Sequence, residues 1–307
     1  MTSNHVCPVC KGSSVHEREV AEWGEMRRCP SCDLVFAYPM TLPEPPESLF
    51  NKAYQGVAKN VGMKEYGVRM SLKSERKRGR IDPKRVLFWG AYDQAMAWFQ
   101  KNVPKGSVVL DIGCGVGYWI STLRQEGYDS AGLDVAKSVV DMLSAEGFDM
   151  WHGTVESLDP NWKNPSVVTS FFVMHHLQDP IGFLKTIRKK FPEATLMIGV
   201  WNQFPEPLKL SPASLPPRTL AWWGPKSLKT ALEKAGYEVD IISETIGAAE
   251  FEMPGPIRRL IPGDKRPGLY YKLLSAYYWL KPAVFLPWKL WKRKSRSGTA
   301  LAICRPR

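Results

Sequence analysis

Six cysteines occur in the 307-residue chain, and four of them form two C-x-x-C pairs, Cys7/Cys10 and Cys29/Cys32, separated by eighteen residues. Thiolates at this spacing make two tight turns that face each other and close a tetrahedron around zinc. Pro8 and Pro30 each follow a leading cysteine and restrict the turn. Four thiolates leave no open coordination position, so the expected role of the metal is structural. A second constellation is the run Val108-Val109-Leu110-Asp111-Ile112-Gly113-Cys114-Gly115-Val116-Gly117. Here a β-branched run delivers the chain to a turn with glycine at every second position, where the backbone can take positive φ and a ligand can approach it closely. Position 118 is Tyr, so the G-x-G-x-x-G dinucleotide fingerprint fails. Asp111 sits inside the loop, where it would repel a pyrophosphate and suit an ammonium group. Asp134 closes the next predicted strand, where a carboxylate can accept from both hydroxyls of a ribose. A loop that avoids phosphate but reads an amino acid and a ribose points to S-adenosylmethionine.

The chain has five histidines, His5, His16, His152, His175 and His176. The adjacent pair directly follows a predicted strand, at the carboxyl edge where open α/β sheets place their ligands. Either histidine could remove the proton of a hydroxyl acceptor, a contribution of about 10²–10⁴-fold. The alternative is a packing or hydrogen-bonding role.

These residues need strands and helices to position them. Strands are predicted at 108–112, 130–135, 148–153, 167–173, 196–200, 239–244 and 301–304. Helices are predicted at 118–126, 137–146, 180–191 and 225–235. Strands alternating with ten- to twelve-residue helices imply a parallel, doubly wound α/β sheet. The proline-rich passage 39–46 reads as a linker, and residues 50–105 as mostly helical. The expected division is a zinc ribbon and linker at 1–45, a helical lid or linker at 46–105, a Rossmann-like catalytic domain at 106–253 and 298–307, and a basic, aromatic helical insertion at 254–297.

Hydrophobic residues make up 44 % and charged residues 23 %, which excludes a disordered or collagen-like chain and a polytopic membrane protein. The net charge of +12 falls entirely after residue 256, where thirteen basic residues stand against the single acid Asp264. The middle of the insertion is apolar and aromatic, but Lys272, Lys281 and Lys289 cut it into runs of at most eight residues. That excludes a simple membrane span. Tyr and Trp beside Lys and Arg suit a lipid headgroup region. Residues 257–297 are therefore expected either to touch an anionic membrane surface or to act as a lid. The cysteine usage and the lack of a signal-like N-terminus lead to an expected cytoplasmic location, peripheral to the membrane if the insertion touches it.

The passages VLDIGCGVG and GLDVAKSVV resemble the first two motifs of the class I S-adenosylmethionine-dependent methyltransferases, in the small-molecule branch with an N-terminal zinc ribbon. The resemblance continues through FFVMHHLQDP, PPRTLAWWGPKSL and LEKAGYEV. It implies a Rossmann-like seven-stranded sheet, with Gly113, Gly115 and Gly117 along the methionine moiety and Asp111 supporting its ammonium. It also implies Asp134 on the ribose, Thr154 and Val155 beside the adenine, and Phe171 in the cofactor set. His176 matches a position commonly filled by histidine, whereas His175 replaces a frequent acid. Thr154 stands where an acid is usual, with Glu156 two residues on, and Thr219 where histidine is frequent; the segment Ser166-Val167-Val168 lacks the acid often found in the fourth strand. The implied activity is methyl transfer to a hydroxyl, ahead of nitrogen or carbon, of a small-molecule, glycan or lipid-linked acceptor. The alternatives are an RNA methyltransferase and an inactive zinc-ribbon interaction protein. No Asn-Pro-Pro-aromatic tetrad follows the fourth strand, which argues against nucleic acid.

Overall fold

The computed structural model describes residues 5–20, 23–61, 83–159, 161–202, 216–246 and 298–307. The chain begins with β1 (Val15–Val20), β2 (Gly24–Arg28) and β3 (Val35–Tyr38), followed by helices α1 (Pro46–Val61) and α2 (Pro83–Asn102). An alternating stretch follows: β4 (Val108–Ile112), α3 (Tyr118–Gln125), β5 (Asp129–Asp134), α4 (Lys137–Ala145), β6 (Asp149–His152) and β7 (Val167–Phe171). A 3-10 turn at Met174–His176 leads to α5 (Pro180–Lys190), β8 (Thr195–Asn202), β9 (Ala221–Trp222), α6 (Pro225–Lys234), β10 (Tyr237–Ile246) and β11 (Gly298–Pro306).

Seven strands form one sheet in the order β10-β11-β8-β7-β4-β5-β6. The pairs β4–β5, β5–β6, β4–β7 and β7–β8 are parallel, and β11 lies antiparallel between β8 and β10. The sequence dictates burial on both faces, because apolar residues occupy consecutive positions and strand side chains alternate. Val109, Val167, Met197, Leu301 and Ile303 face α2 and α3. Leu110, Val168, Leu196, Ile198 and Ala302 face the other way, in one core with Leu184 and Ile187 of α5 and Leu228 and Leu232 of α6. The strand order reverses between β4 and β7, so their carboxyl ends diverge and open a crevice, the ligand position of open α/β sheets.

The expected strands and helices of this sheet are all found, and β10 and β11 are longer than expected. The strand expected to run to residue 173 ends at Phe171, and Phe172 adopts a φ of 61° that turns the chain out of the sheet. The helix at α1 begins at the last proline of the expected linker. The insertion at 254–297, and the part of 50–105 between 62 and 82, lie outside the described residues. Among the described residues no helix is long and apolar enough to cross a membrane.

A second sheet, in the order β1-β2-β3-β9, carries the four cysteines at one end. Its last strand comes from the segment before α6: Val35 pairs with Trp222 and Phe36 with Ala221. Cys7, Cys29, Cys32, Leu34 and Phe36 lie in the same apolar cluster as Leu110 and Ile198 of the large sheet. The ribbon and the large sheet thus share one core.

Candidate active site

The glycine loop leaves β4 with Gly113 at φ 74°, Gly115 at φ 53° and Gly117 at φ 79°, the left-handed region that L side chains rarely adopt. A Cβ at Gly113 would sit 2.3 Å from Val173 Cγ2, and one at Gly115 2.9 Å from the Tyr54 hydroxyl. The loop is therefore glycine-rich for packing as well as for backbone angle. Asp134 ties it down: its Oδ2 accepts from Gly115 N at 2.9 Å and its Oδ1 from Ala136 N at 2.8 Å. A carboxylate has about four acceptor positions, so these two bonds do not exhaust it. Burial raises the Asp134 carboxyl above its ordinary value, against the lowering effect of these N–H groups.

Asp111 lies beneath the loop and is 2 % exposed. Thr169 Oγ1 donates to its Oδ1 at 2.7 Å, yet burial pushes its carboxyl up to about 8. Such a group is stabilised by a cation placed against it.

Beside the loop is a cavity of about 740 Å³, lined by Gly113, Gly115, Asp134, Thr154, Val155, Phe171, His175 and His176 among others. Eight of the ten residues expected for cofactor or base are thus brought to one cavity. Asp111 and Gly117 do not line it; Asp111 is under the loop, and Gly117 caps α3. One wall is α1, whose Asn51 Oδ1 accepts from Ser138 N at 3.2 Å and Ser138 Oγ at 3.0 Å. Its Phe50 meets the His176 ring edge-on at 5.0 Å. Tyr92, Phe171, Phe172, Trp201, His175 and His176 continue as an aromatic wall, with neighbouring centroids 4.0–6.3 Å apart.

The two histidines differ. His176 Nδ1 lies 2.5 Å from the carbonyl oxygen of Arg218. A carbonyl only accepts, so Nδ1 carries the proton and the lone pair of the neutral ring is on Nε2. Burial drives its pKa down to about 4, the nearby guanidinium of Arg218 adds to this, and the carbonyl opposes it. His175 is 7 % exposed and held well below its ordinary value by burial; among the described residues its Nδ1 has no hydrogen-bond partner. Its carbonyl accepts from Leu220 N at 2.7 Å.

At the ribbon, Cys7 Sγ is 3.7 Å from Cys32 Sγ and Cys10 Sγ is 3.3 Å from Cys29 Sγ, and all four sulfurs lie within 4.8 Å of one another. The Zn–S distance of about 2.3 Å requires tetrahedral sulfurs just under about 4 Å apart, so the set fits zinc. The two knuckles repeat one pattern. Lys11 N donates to Cys7 O and Asp33 N to Cys29 O, with Lys11 at φ 66° and Asp33 at φ 64°. Gly12 N donates to Cys10 Sγ at 3.3 Å. Hydrogen bonding to Cys32 lowers the Cys7 thiol to about 5, while the same pairing raises Cys32.

Sequence reasoning missed Phe50 and Tyr54 on α1, Tyr92 on α2, Trp201 on β8 and Arg218. The only available signal was the spacing of Phe50 and Tyr54, which places both on one helix face.

Residues 89–241 match the family described as a methyltransferase domain. The ubiquinone biosynthesis O-methyltransferase of Roseobacter denitrificans is 26 % identical over 125 residues, 39 % of this chain and 50 % of that protein. Its counterpart in Dinoroseobacter shibae is 28 % identical over 154 residues, 45 % of this chain and 62 % of that protein. The chain therefore spans about half to three fifths of the length of these curated relatives. Among solved structures, coclaurine N-methyltransferase with N-methylheliamine and S-adenosylhomocysteine aligns at TM-score 0.47 and 12 % identity, covering 70 % of this chain and 72 % of that one. A chain from the complex of the Haloferax volcanii Trm112 methyltransferase activator with a methyltransferase aligns at TM-score 0.49 and 19 % identity, covering 71 % and 90 %. The family match runs through the glycine loop, the Asp134 strand and the histidine turn, and this part of the chain is a methyltransferase domain of the S-adenosylmethionine-dependent kind.

Proposed function

We propose that this enzyme transfers the methyl group to a hydroxyl of a small-molecule acceptor, with His176 as the general base. The observation that supports this reading is the Nδ1–H of His176 bonded to the Arg218 carbonyl, which leaves Nε2 as a proton acceptor on the wall of the cavity. S-adenosylmethionine supplies a methyl carbon on a sulfonium, activated without help from the protein. In this reading Asp134 holds the ribose, Thr154 and Val155 flank the adenine, Gly113, Gly115 and Phe171 line the methionine moiety, and Asp111 supports the ammonium through the loop. Gly117 starts the helix that carries the loop. The acceptor oxygen attacks the methyl carbon in line, the C–S bond breaks with its electrons on sulfur, and the hydroxyl proton passes to Nε2. His175 shapes the wall. The four cysteines hold one structural zinc. Glycan and lipid-linked acceptors remain within the reading through the basic, aromatic segment at 257–297, which we assign to contact with an anionic membrane surface.

The test uses His176→Ala and His176→Asn. Turnover of a hydroxyl acceptor should fall by about 10²–10⁴-fold, with S-adenosylhomocysteine affinity unchanged by calorimetry. In the wild type the acid limb of kcat/KM should lie below the ordinary histidine value of about 6.5, because burial holds His176 neutral down to about pH 4. Full turnover in both variants would remove His176 as the base.

A further inference from the structure

We propose that Arg218 selects acceptors that carry an oxyanion, a carboxylate or a phosphate, close to the hydroxyl that is methylated; the proposal rests on the hydroxyl-transfer reading above. The cavity wall carries both signs of charge. Asp134 lines it beside the glycine loop, and Asp111 lies buried under that loop, an environment for the positive groups of the cofactor. Arg218 lines the same wall, with its carbonyl on His176. Among the described residues no carboxylate lies within ion-pair distance of the Arg218 guanidinium. The remaining acids on the wall are Glu156, after β6, and Asp179, whose Oδ1 already accepts from Gly182 N at 2.9 Å at the start of α5.

The Arg218 guanidinium stands near both histidines and, among the described residues, has no acidic partner. Its fork of donors matches carboxylate and phosphate oxygens. The backbone of the same residue is fixed, because its carbonyl accepts the His176 proton and the next-but-one amide, Leu220 N, donates to His175 O. The anion site and the base are therefore set by one short segment, so an acceptor anchored at Arg218 is presented near Nε2. There is a chemical consequence. The guanidinium is one of the influences that weaken His176 as a base, and a bound anion neutralises that field. An anionic acceptor would restore base strength as it binds, whereas a neutral acceptor of the same shape would not.

The experiment measures binding to the S-adenosylhomocysteine-loaded protein with two matched probe pairs: a dihydroxybenzoate against its carboxamide, and a hydroxyalkyl phosphate against the corresponding neutral diol. The expected result is a preference for the anion of about tenfold or more in at least one pair, as for loss of a charge-assisted hydrogen bond. The pair that shows the preference identifies carboxylate or phosphate. Arg218→Met removes the charge but keeps the main-chain carbonyl, and should bring the pair to near-equal affinity while S-adenosylhomocysteine binds as before. Arg218→Lys should recover part of the preference. Equal binding within both pairs, no binding of any probe, or a preference that survives Arg218→Met would overturn the proposal. Failure of S-adenosylhomocysteine itself to bind would instead overturn the reading of the cofactor site.

Discussion

Asp111 and Asp134 are both buried at the glycine loop, and they should respond differently to substitution and to pH. Asp134 accepts from the amides of Gly115 and Ala136, so Asp134→Ala removes the loop's tether as well as the proposed ribose contact. Each lost bond to a charged acceptor costs about 1.5–3 kcal/mol, so calorimetry should show S-adenosylmethionine binding at least about tenfold more weakly. Asp111 carries the pH dependence. Its carboxyl is raised to about 8 by burial, so the free protein holds it largely protonated at neutral pH. A cation bound close by lowers that value again. Binding then expels a proton, and affinity should climb with pH toward about 8 and level off above it, by at most about tenfold per pH unit. Titrations in buffers of different ionisation enthalpy measure the proton, and Asp111→Asn should flatten the climb. A wild-type affinity that is independent of pH between 6 and 8 (roughly the window that linkage requires) would separate Asp111 from the cofactor's ammonium.

The element that connects the four-cysteine cluster to the histidine turn is β9, only two residues long. On one side it pairs with β3 of the ribbon, and Ala37 N donates to Leu220 O at 2.8 Å. On the other side Trp223 bridges to Asn202 at the end of β8. The residues just before it hold both histidines. Removing zinc with a chelator, or through Cys29→Ser, should therefore reduce acceptor turnover much more than cofactor affinity. Metal analysis should find one zinc per chain before removal. Unchanged turnover in the metal-free protein would show that β9 holds its place without the ribbon. None of this coupling was legible in the sequence. The strands of the large sheet announce themselves through apolar runs closed by Asp111 and Asp134, because burial on both faces forces that composition. By contrast β1 reads Val-His-Glu-Arg-Glu-Val, an edge strand with one wet face, and β9 is a strand only because β3 lies beside it. The cysteine spacing located the four-sulfur cluster but not its neighbour. The same limit applies to His176: its position was readable, but the carbonyl that fixes its tautomer comes from a residue forty-two positions away.

At the scale of the whole molecule, β10 and β11 form one antiparallel ladder whose two strands are joined by residues 247–297. Ile246, the last residue of β10, stands opposite Gly298, the first residue of β11, in an antiparallel ladder that runs to Tyr237 opposite Pro306. The chain thus leaves the sheet and returns to it at the same point, and residues 247–297 close what is otherwise a hairpin. A two-residue Asn-Gly turn meets the geometric need of such a connection. Replacing 247–297 by that turn removes eleven basic residues and three acids, so most of the +12 net charge goes with it. The ladder, α2 against β11 and the cavity walls described above are all retained. The shortened protein should unfold in a single thermal transition, since the ribbon and the sheet share one apolar cluster, and should bind S-adenosylhomocysteine within a few-fold of the full chain. Flotation of the full chain with anionic vesicles at low salt should be lost in the shortened one, because each basic residue near such a surface contributes about 1 kcal/mol. Loss of cofactor binding on excision would mean that the insertion completes the site. Equal flotation of the two proteins would remove the membrane assignment and leave the hairpin reading of β10 and β11 standing.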